Sequence, residues 1–530
     1  MLSDSPIRMG RWRVARSTAP AACRDGFIVV AVALAVCGLG SAGAAAEAGA
    51  DSPGALSVGW ASADITPDRP VALFGQFHTR ISTGVRDPIS CTALALETVR
   101  DGRSIDQAVL VSCDLCVITP ELVDAVAALH GTITSRCAGL DPAKIVLNAT
   151  HTHTAPAVGM WDYDIPAGGL TPAAYRDFVA ERIAAAVTGA WNARAAGRVS
   201  WALGHAVVAH NRRAAYFDPA TGLPAAGRTT MYGATARADF DSIEGPADSG
   251  LPLICFWKPG GGLSGLIVNL PCPSQETEHL TEISADFWHE IREELRGLLG
   301  PDIFILPQCA AAGDCTSHLM WRKTAENEML QRRGLQPRQE VARRVAAAVA
   351  DVMPHAGADD TAEPVLRHVV RTFDLPMRIV SAADRDRCLT AAATTPPDQP
   401  AKKAWHRDVV RRYEEQQRRL GRGEQLTIPV RVHAIRLGDV ALVTNPFELF
   451  GVYGIRIQAR SPATLTCVVQ LAGCGAGYPY LPTVRAVEGA GYSAIIESNI
   501  VGPAGGRQLV DESVSLLREL WALPAETAIR

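Results

Sequence analysis

Asn148-Ala149-Thr150-His151-Thr152-His153-Thr154-Ala155-Pro156 is the stretch on which the reading of this chain turns. The apolar run 145–147 leads into two histidines that alternate with threonines. In an extended strand, residues two apart point to the same face. His151 and His153 are therefore expected to project side by side from a strand end, with Pro156 stopping the strand. Neutral imidazole is the commonest side-chain ligand for zinc, and two on one face supply half a shell. A pair of hydrogen-bonded surface histidines would have the same spelling, so the surrounding chain has to decide.

Around this stretch, short apolar runs alternate with helical patterns. Residues 91–98 and 107–113 read as strands, the second apolar enough to be buried. Thr119-Pro120-Glu121 reads as a helix start, with Thr119 at the cap and Pro120 at the first position. Strand 200–208 delivers His210-Asn211-Arg212-Arg213. Runs 253–257 and 265–270, joined by a proline and glycines, read as a hairpin that ends in Pro271-Cys272-Pro273-Ser274-Gln275. Strand 303–306 runs into a loop of small residues, Ala310-Ala311-Ala312-Gly313-Asp314-Cys315-Thr316. A strand near 368–373 precedes a further hairpin, 430–437 with 439–444. That hairpin leads to Asn445-Pro446-Phe447-Glu448, where a helix is expected to begin and its dipole alone would favour a glutamate.

Longer helices are expected over 172–192, 339–352, 402–420 and 508–520, and one from 284 onward. Segments 356–364 and 391–400 read as linkers. The alternation argues for an α/β fold of mixed β-sheets flanked by helices. In open α/β sheets ligands collect beyond the carboxyl ends of the strands. His151, His153, Cys272, Thr316 and Glu448 all sit at such ends.

At 530 residues, 48% hydrophobic and 20% charged, the chain can bury a large core. A net charge of -4 argues against a nucleic-acid partner held by bulk positive charge. Arg8, Arg11, Arg13, Arg16 and Arg24 precede an apolar run, 27–40, and small residues, 41–50. This reads as an export signal over 1–50, leaving 51–530 as a single domain outside the cytoplasm, periplasmic or secreted. Cys37 follows a loose lipobox, and lipid anchoring there is the lesser alternative. The eleven later cysteines are an odd number, so at least one thiol stays free unless chains pair. Cys113-Asp114-Leu115-Cys116 has redox spacing but not the helix start that such a motif needs. His289-Glu290 lacks a second histidine four positions after the first, and no Gly-x-Ser-x-Gly elbow is present.

Taken in order, several segments resemble the neutral/alkaline non-lysosomal ceramidase family. They are Ser62-Ala63-Asp64-Ile65-Thr66-Pro67, the Thr-His-Thr-His stretch, Asn211-Arg212, Ala312-Gly313-Asp314-Cys315-Thr316, Pro446-Phe447-Glu448 and Tyr480-Leu481-Pro482-Thr483. The resemblance covers nearly all of 51–530. It implies a secreted or periplasmic zinc amidohydrolase that cleaves the N-acyl bond of ceramide. It assigns metal ligation to His151, Glu448 and Tyr480, with His153, Arg212 and Tyr492 in the reaction centre.

Three departures accompany the resemblance. The family's second histidine ligand falls at or near Cys272, whose thiolate could hold zinc or whose side chain could simply be buried. The family's functional serine falls on Thr316. The family's C-terminal immunoglobulin-like domain is expected to be absent.

The chemistry expected is amide hydrolysis with Zn2+ and an activated water, on a small-molecule or lipid amide. His153 or Tyr492 would stabilise the oxyanion, Arg212 would orient the substrate and Thr316 would hydrogen-bond substrate or water. Peripheral membrane contact is compatible with a lipid substrate. Two alternatives stay open: the same fold acting on a non-lipid amide or ester, and a metal-free exported binding protein.

Overall fold

Strand Ser90–Arg100 shows how the sequence builds layers. Its residues alternate between two cores: Cys91, Ala93 and Ala95 face one cluster, and Leu94 and Leu96 face another. That is the period of two expected for a strand covered on both faces. The computed structural model describes residues 53–159, 163–473 and 480–523. The arginine-rich leader, Cys37, Cys474 and Tyr478 lie outside the described residues.

Three sheets share a pattern, an antiparallel hairpin extended by a parallel strand. In the first, Ser90–Arg100 pairs antiparallel with Arg103–Cys113 and Ile145–Ala149 joins parallel to the latter. In the second, Gly250–Trp257 pairs with Leu263–Leu270 and Phe304–Cys309 joins parallel. In the third, Thr427–Leu437 pairs with Val440–Thr444 and Leu465–Val469 joins parallel. One apolar cluster takes side chains from all three, including Leu94, Leu110, Ile254, Ile267, Leu306, Ile435 and Leu442.

Helices cover the outer faces. Pro172–Asn192 packs on the first sheet. Phe287–Leu299 and Pro337–Ala356 pack on the second, and Gly451–Arg460 and Pro503–Leu520 on the third. The first helix approaches closely because Gly59 has no side chain: a Cβ there would lie 2.0 Å from Ala190 O. Thr171 caps it through the Ala174 amide and Pro172 fills its first turn, so its bounds match the expectation from sequence.

The carboxyl ends of the parallel strands and their partners meet, and buried carboxamides knit them together. Asn148 Nδ2 donates to Pro307 O at 3.2 Å. Asn269 Nδ2 donates to Val468 O at 3.1 Å. Gln470 Oε1 accepts from Leu449 N at 2.9 Å and Ala312 N at 3.2 Å. Each bond satisfies a backbone group that the strand ends would otherwise bury unpaired.

Several expectations need correction. The helix expected from 284 starts at Phe287, because the Asp286 side chain caps it and Glu282–Ile283 is strand. The linker expected over 391–400 is partly helical, since Ala382–Thr394 reaches into it, anchored by a Ser381–Asp384 capping box. No helix begins at Glu448: Glu448–Leu449 pairs parallel with Tyr480–Leu481, and the helix starts at Gly451. The ten described cysteines after residue 50 are all free and buried. Among the described residues, no helix is long and apolar enough to cross a membrane.

Candidate metal centre

The strand before the two histidines ends at Ala149. His151 has φ of 68°, a left-handed conformation that L-residues rarely adopt. The backbone is held there by its neighbours. Thr150 N donates to Cys113 O at 3.0 Å, and His151 N donates to Leu115 O at 2.9 Å. Strand alternation therefore does not bring the histidines together, as the sequence led us to expect; a turn does. The rings meet at nearly a right angle with centroids 4.8 Å apart, and the two Nε2 atoms are 3.4 Å apart.

Each ring is oriented from its far side. His151 Nδ1 lies 2.7 Å from Cys116 O, an acceptor only, so this nitrogen carries the proton. His153 Nδ1 lies 3.2 Å from Glu278 Oε2. With its Nδ1 proton turned to Cys116 O, His151 leaves its Nε2 lone pair facing His153 Nε2. Glu448 Oε2 is 3.4 Å from His151 Nε2. Donors around one ion with bonds of about 2.0–2.2 Å stand roughly 3.3–3.6 Å apart in a tetrahedron. This donor set is compatible with a metal ion, and a carboxylate or carbonyl behind each imidazole is the usual outer support of such a site.

The remaining residues surround this point. The parallel register sets Glu448 opposite Tyr480. Gly313 lets the Glu448 backbone approach, since a Cβ there would lie 2.2 Å from Glu448 O. Arg212 is buried and its Nη2 donates to Tyr480 OH at 3.1 Å and Gly313 O at 3.0 Å, while standing 3.9 Å from Glu448 Oε2. Tyr492 packs edge-on against Tyr480, with ring centroids 5.6 Å apart. Thr316 Oγ1 accepts from Tyr232 OH at 3.3 Å and from His318 N at 3.1 Å. Its hydroxyl thus joins the cluster through Tyr232, which also reaches Arg212 Nη1 at 3.3 Å.

Cys272 stands apart from the pair. Its Sγ faces Val208 O at 3.6 Å and Pro273 O at 3.7 Å, inside the apolar cluster under the second sheet. Burial pushes this thiol well above its ordinary range. The chain after it is fixed by Ser274 Oγ, which donates to Thr150 O at 2.8 Å. Gln275, three residues on, is the one that reaches His153, with Nε2 atoms 3.2 Å apart. The structure does not bring Cys272 to the metal point.

Sequence reasoning missed four neighbours: Cys116, Gln275, Glu278 and Tyr232. Gln275 and Cys116 were visible beside motifs at strand ends, but their approach to the histidines depends on how separate strand ends converge. Cys116 Sγ lies 3.7 Å from His151 Nδ1.

Burial and charge work against each other here. Burial raises the Cys116 thiol, but the two imidazoles more than offset it and bring it down to about 6. Burial lowers His153, but the Cys116 thiolate and Glu278 raise it to about 9. Burial raises Glu448, but His151 and then Arg212 hold it below the usual carboxylate range. Tyr480 is pushed well up by burial and then by Glu448.

No protein-family model matches this sequence, and no curated protein matches it either. Solved structures do. The neutral ceramidase from Pseudomonas aeruginosa superposes with a TM-score of 0.58 at 18% identity, over 90% of this chain and 76% of that one. A ceramidase complexed with C2 gives 0.59 at 17% identity, over 90% and 77%. Three helix-covered sheets whose strand ends converge on a histidine pair are therefore the fold of neutral ceramidase.

Proposed function

We propose that this protein is a zinc-dependent hydrolase of a linear amide, with an N-acylated long-chain amine of the ceramide type as its substrate class. The observation that carries the reading is the facing pair of Nε2 atoms, 3.4 Å apart, with Glu448 3.4 Å from His151. Two imidazole nitrogens turned toward each other beside a carboxylate in a buried site favour a cation between them.

His151 and His153 would hold the ion, with Glu448 and Tyr480 beside it. Zinc in this position would supply Lewis acidity and lower the pKa of water to about 7. The protein groups would do the rest. Glu448 would take a proton from water. The Tyr492 hydroxyl would donate to the developing oxyanion. Arg212, held by Tyr480 OH and Gly313 O, would fix the tyrosine and the substrate carbonyl in register. Glu278 would hold the His153 tautomer throughout.

An aromatic trio supports a long apolar substituent. Phe77, Trp405 and Tyr492 pack against one another, with centroids 5.1 Å apart for Phe77–Trp405 and 5.8 Å for each of the other two pairs. All three are half-buried, so they present apolar surface beside the reaction centre. We also propose export of the chain, on the arginine-rich start and the apolar run after it.

The test is turnover of an N-acyl sphingoid against short-chain acyl amides, with metal content measured on wild type and His151→Ala. About one zinc per wild-type chain, with both zinc and turnover lost in the variant, is the expected result. Full activity in His151→Ala would sink the assignment. A metal-free wild type that still binds the lipid would favour a binding protein.

A further inference from the structure

We propose that Cys388, His406 and Glu497 form a second metal site, for a zinc-type ion, apart from the His151–His153 pair.

The geometry comes first. Cys388 Sγ, a ring nitrogen of His406 and a carboxylate oxygen of Glu497 lie within 4.8 Å of one another, and all three residues are buried. Glu497 Oε1 is the shared point: Cys388 Sγ is 3.5 Å from it and His406 Nδ1 is 3.8 Å from it. Donors on one tetrahedral ion, with a Zn–S bond of about 2.3 Å and Zn–N and Zn–O bonds of about 2.0–2.2 Å, stand roughly 3.3–3.7 Å apart. The sulfur–oxygen distance falls in that range, and a slight turn of the imidazole brings its nitrogen in as well.

An orphaned nitrogen comes second. His406 Nδ1 is buried without a hydrogen-bond partner among the described residues, and its 3.8 Å to Glu497 is too long to be one. The His406 side chain is only 10% exposed, so water does not readily reach it. A buried polar atom left in this way carries a desolvation cost, which an ion at this point would remove.

Placement comes third. Cys388 lies on helix Ala382–Thr394, His406 on helix Pro400–Gly421 and Glu497 in the turn Ile496–Ser498. Separate contacts lock these three elements together. Arg412 donates to Asn499 O and Ile496 O, both at 2.8 Å. Val380, Cys388, Val409 and Ile496 form a small apolar core beneath the cluster. The ligand atoms are thus held by packing rather than by one another, which is how a precise ligand set is built.

Arg387 is the competitor, since its Nη1 contacts Glu497 Oε1 and its Nη2 lies 3.2 Å from Oε2. Its side chain is half exposed, and Nη2 also reaches Asp384 Oδ1 at 3.3 Å. It can give up Oε1 to the ion and keep Oε2, supporting the carboxylate from behind. Thiolate, imidazole and one carboxylate oxygen suit zinc rather than calcium or magnesium, and leave a fourth place for water. Burial and then Glu497 push the Cys388 thiol up to about 12, so the free thiol keeps its proton. Binding breaks that S–H bond, forms the metal–sulfur bond and releases the proton to solvent. Trp405, next to His406, packs 5.8 Å from Tyr492. The ion therefore ties the helix that carries Trp405 to the segment that carries Tyr492.

The test is metal content of the full chain after zinc loading, as wild type, His151→Ala, Cys388→Ser and His406→Gln. We expect about two ions in wild type and about one in each variant. Cobalt(II) then reports the sulfur, because a thiolate on cobalt gives a charge-transfer band in the near ultraviolet and nitrogen or oxygen ligands do not. The band should be present in His151→Ala and lost when Cys388→Ser is added to it. One ion in wild type and none in His151→Ala would overturn the inference and leave the first centre standing. A band in His151→Ala that survives Cys388→Ser would overturn it too. One ion that survives His151→Ala and is lost in Cys388→Ser would uphold this site and bring down the first. Should Cys388→Ser fail to fold, His406→Gln keeps the thiol and answers alone: two ions retained there would overturn the inference. A metal-free wild type would overturn both sites.

Discussion

Gly75 has no side chain, and its surroundings leave no room for one. Its φ is 102°, and a Cβ there would lie 2.7 Å from His153 Cγ and 2.8 Å from His153 Nδ1. The residue sits in a loop pinned by Phe74 N, which donates to Ala155 O at 3.0 Å, so it cannot retreat. Arg80 seals the other side: its Nη2 donates to His153 O at 2.6 Å and Phe74 O at 2.8 Å. Gly75→Ala must strain the backbone or push the imidazole away from Glu278. Such strain costs about 1–3 kcal/mol. A shift of order 1 Å in a reacting group costs roughly 100-fold in rate. We expect kcat to fall by about that factor while the protein stays folded. Unchanged kcat and zinc content would show that His153 has slack that this geometry denies it.

At the scale of elements, one buried ion pair holds the segment that carries Tyr492. Arg213 is fully buried and bonded to both Glu244 oxygens, at 2.8 and 2.9 Å. Its other contacts reach Ser493 Oγ at 3.1 Å and the carbonyls of Ala486 and Ala490 at 3.0 and 2.6 Å. Removing one partner leaves a buried charge uncompensated, which costs about 3–5 kcal/mol. Glu244→Gln should lower the urea midpoint accordingly and reduce turnover more than zinc affinity, since the metal point itself is untouched. A midpoint equal to wild type would mean that the carbonyls alone satisfy Arg213.

The same scale shows what the sequence can and cannot carry. Helix Pro172–Asn192 was legible because its cap, its proline and its apolar pattern are all local. Strand Glu448–Leu449 was not, because two residues become strand only through Tyr480–Leu481, which lies far along the chain. The helix-dipole explanation for Glu448 failed for that reason. Cys116 was read against Cys113, its neighbour in sequence. Cys113 instead faces Cys91 across the hairpin, buried in the first core, while Cys116 turns the other way to the histidines. The Thr-His-Thr-His stretch was informative because both imidazoles are in it. Its partners were hidden because several other strand exits had to be assembled around it.

At the scale of the whole molecule, the first and third sheets meet at a seam of neutral histidines that acid should open. His368 Nε2 is 3.0 Å from His433 Nδ1, and His368 Nδ1 is 3.2 Å from Gln107 O on the first sheet. A carbonyl can only accept, so His368 Nδ1 donates to it and Nε2 accepts from His433; both rings are neutral. Asp106 takes the His368 amide at 2.6 Å, and Lys144 donates to the His368 carbonyl. Burial pushes His433 down to about 4, with Arg431 and Lys144 adding to it. Burial also holds His368 well below its ordinary value, with His433 and Lys144 adding to it. The sign follows from linkage. Between the ordinary value of 6.5 and about 4, the unfolded chain binds protons that the folded chain refuses. Stability is therefore complete above pH 6.5 and falls as the pH drops through that window. At 1.36 kcal/mol per unit, His433 alone should cost about 2 kcal/mol by pH 5. A double variant, His368→Gln with His433→Gln, removes both titrating groups. Its urea midpoint should fall less between pH 7 and pH 5 than that of wild type, and the difference isolates the seam from every other group that titrates in acid, which both proteins share. Parallel pH profiles would mean that the seam is hydrated enough to accept protons in the folded state, and that the two sheets are held by the shared apolar core alone.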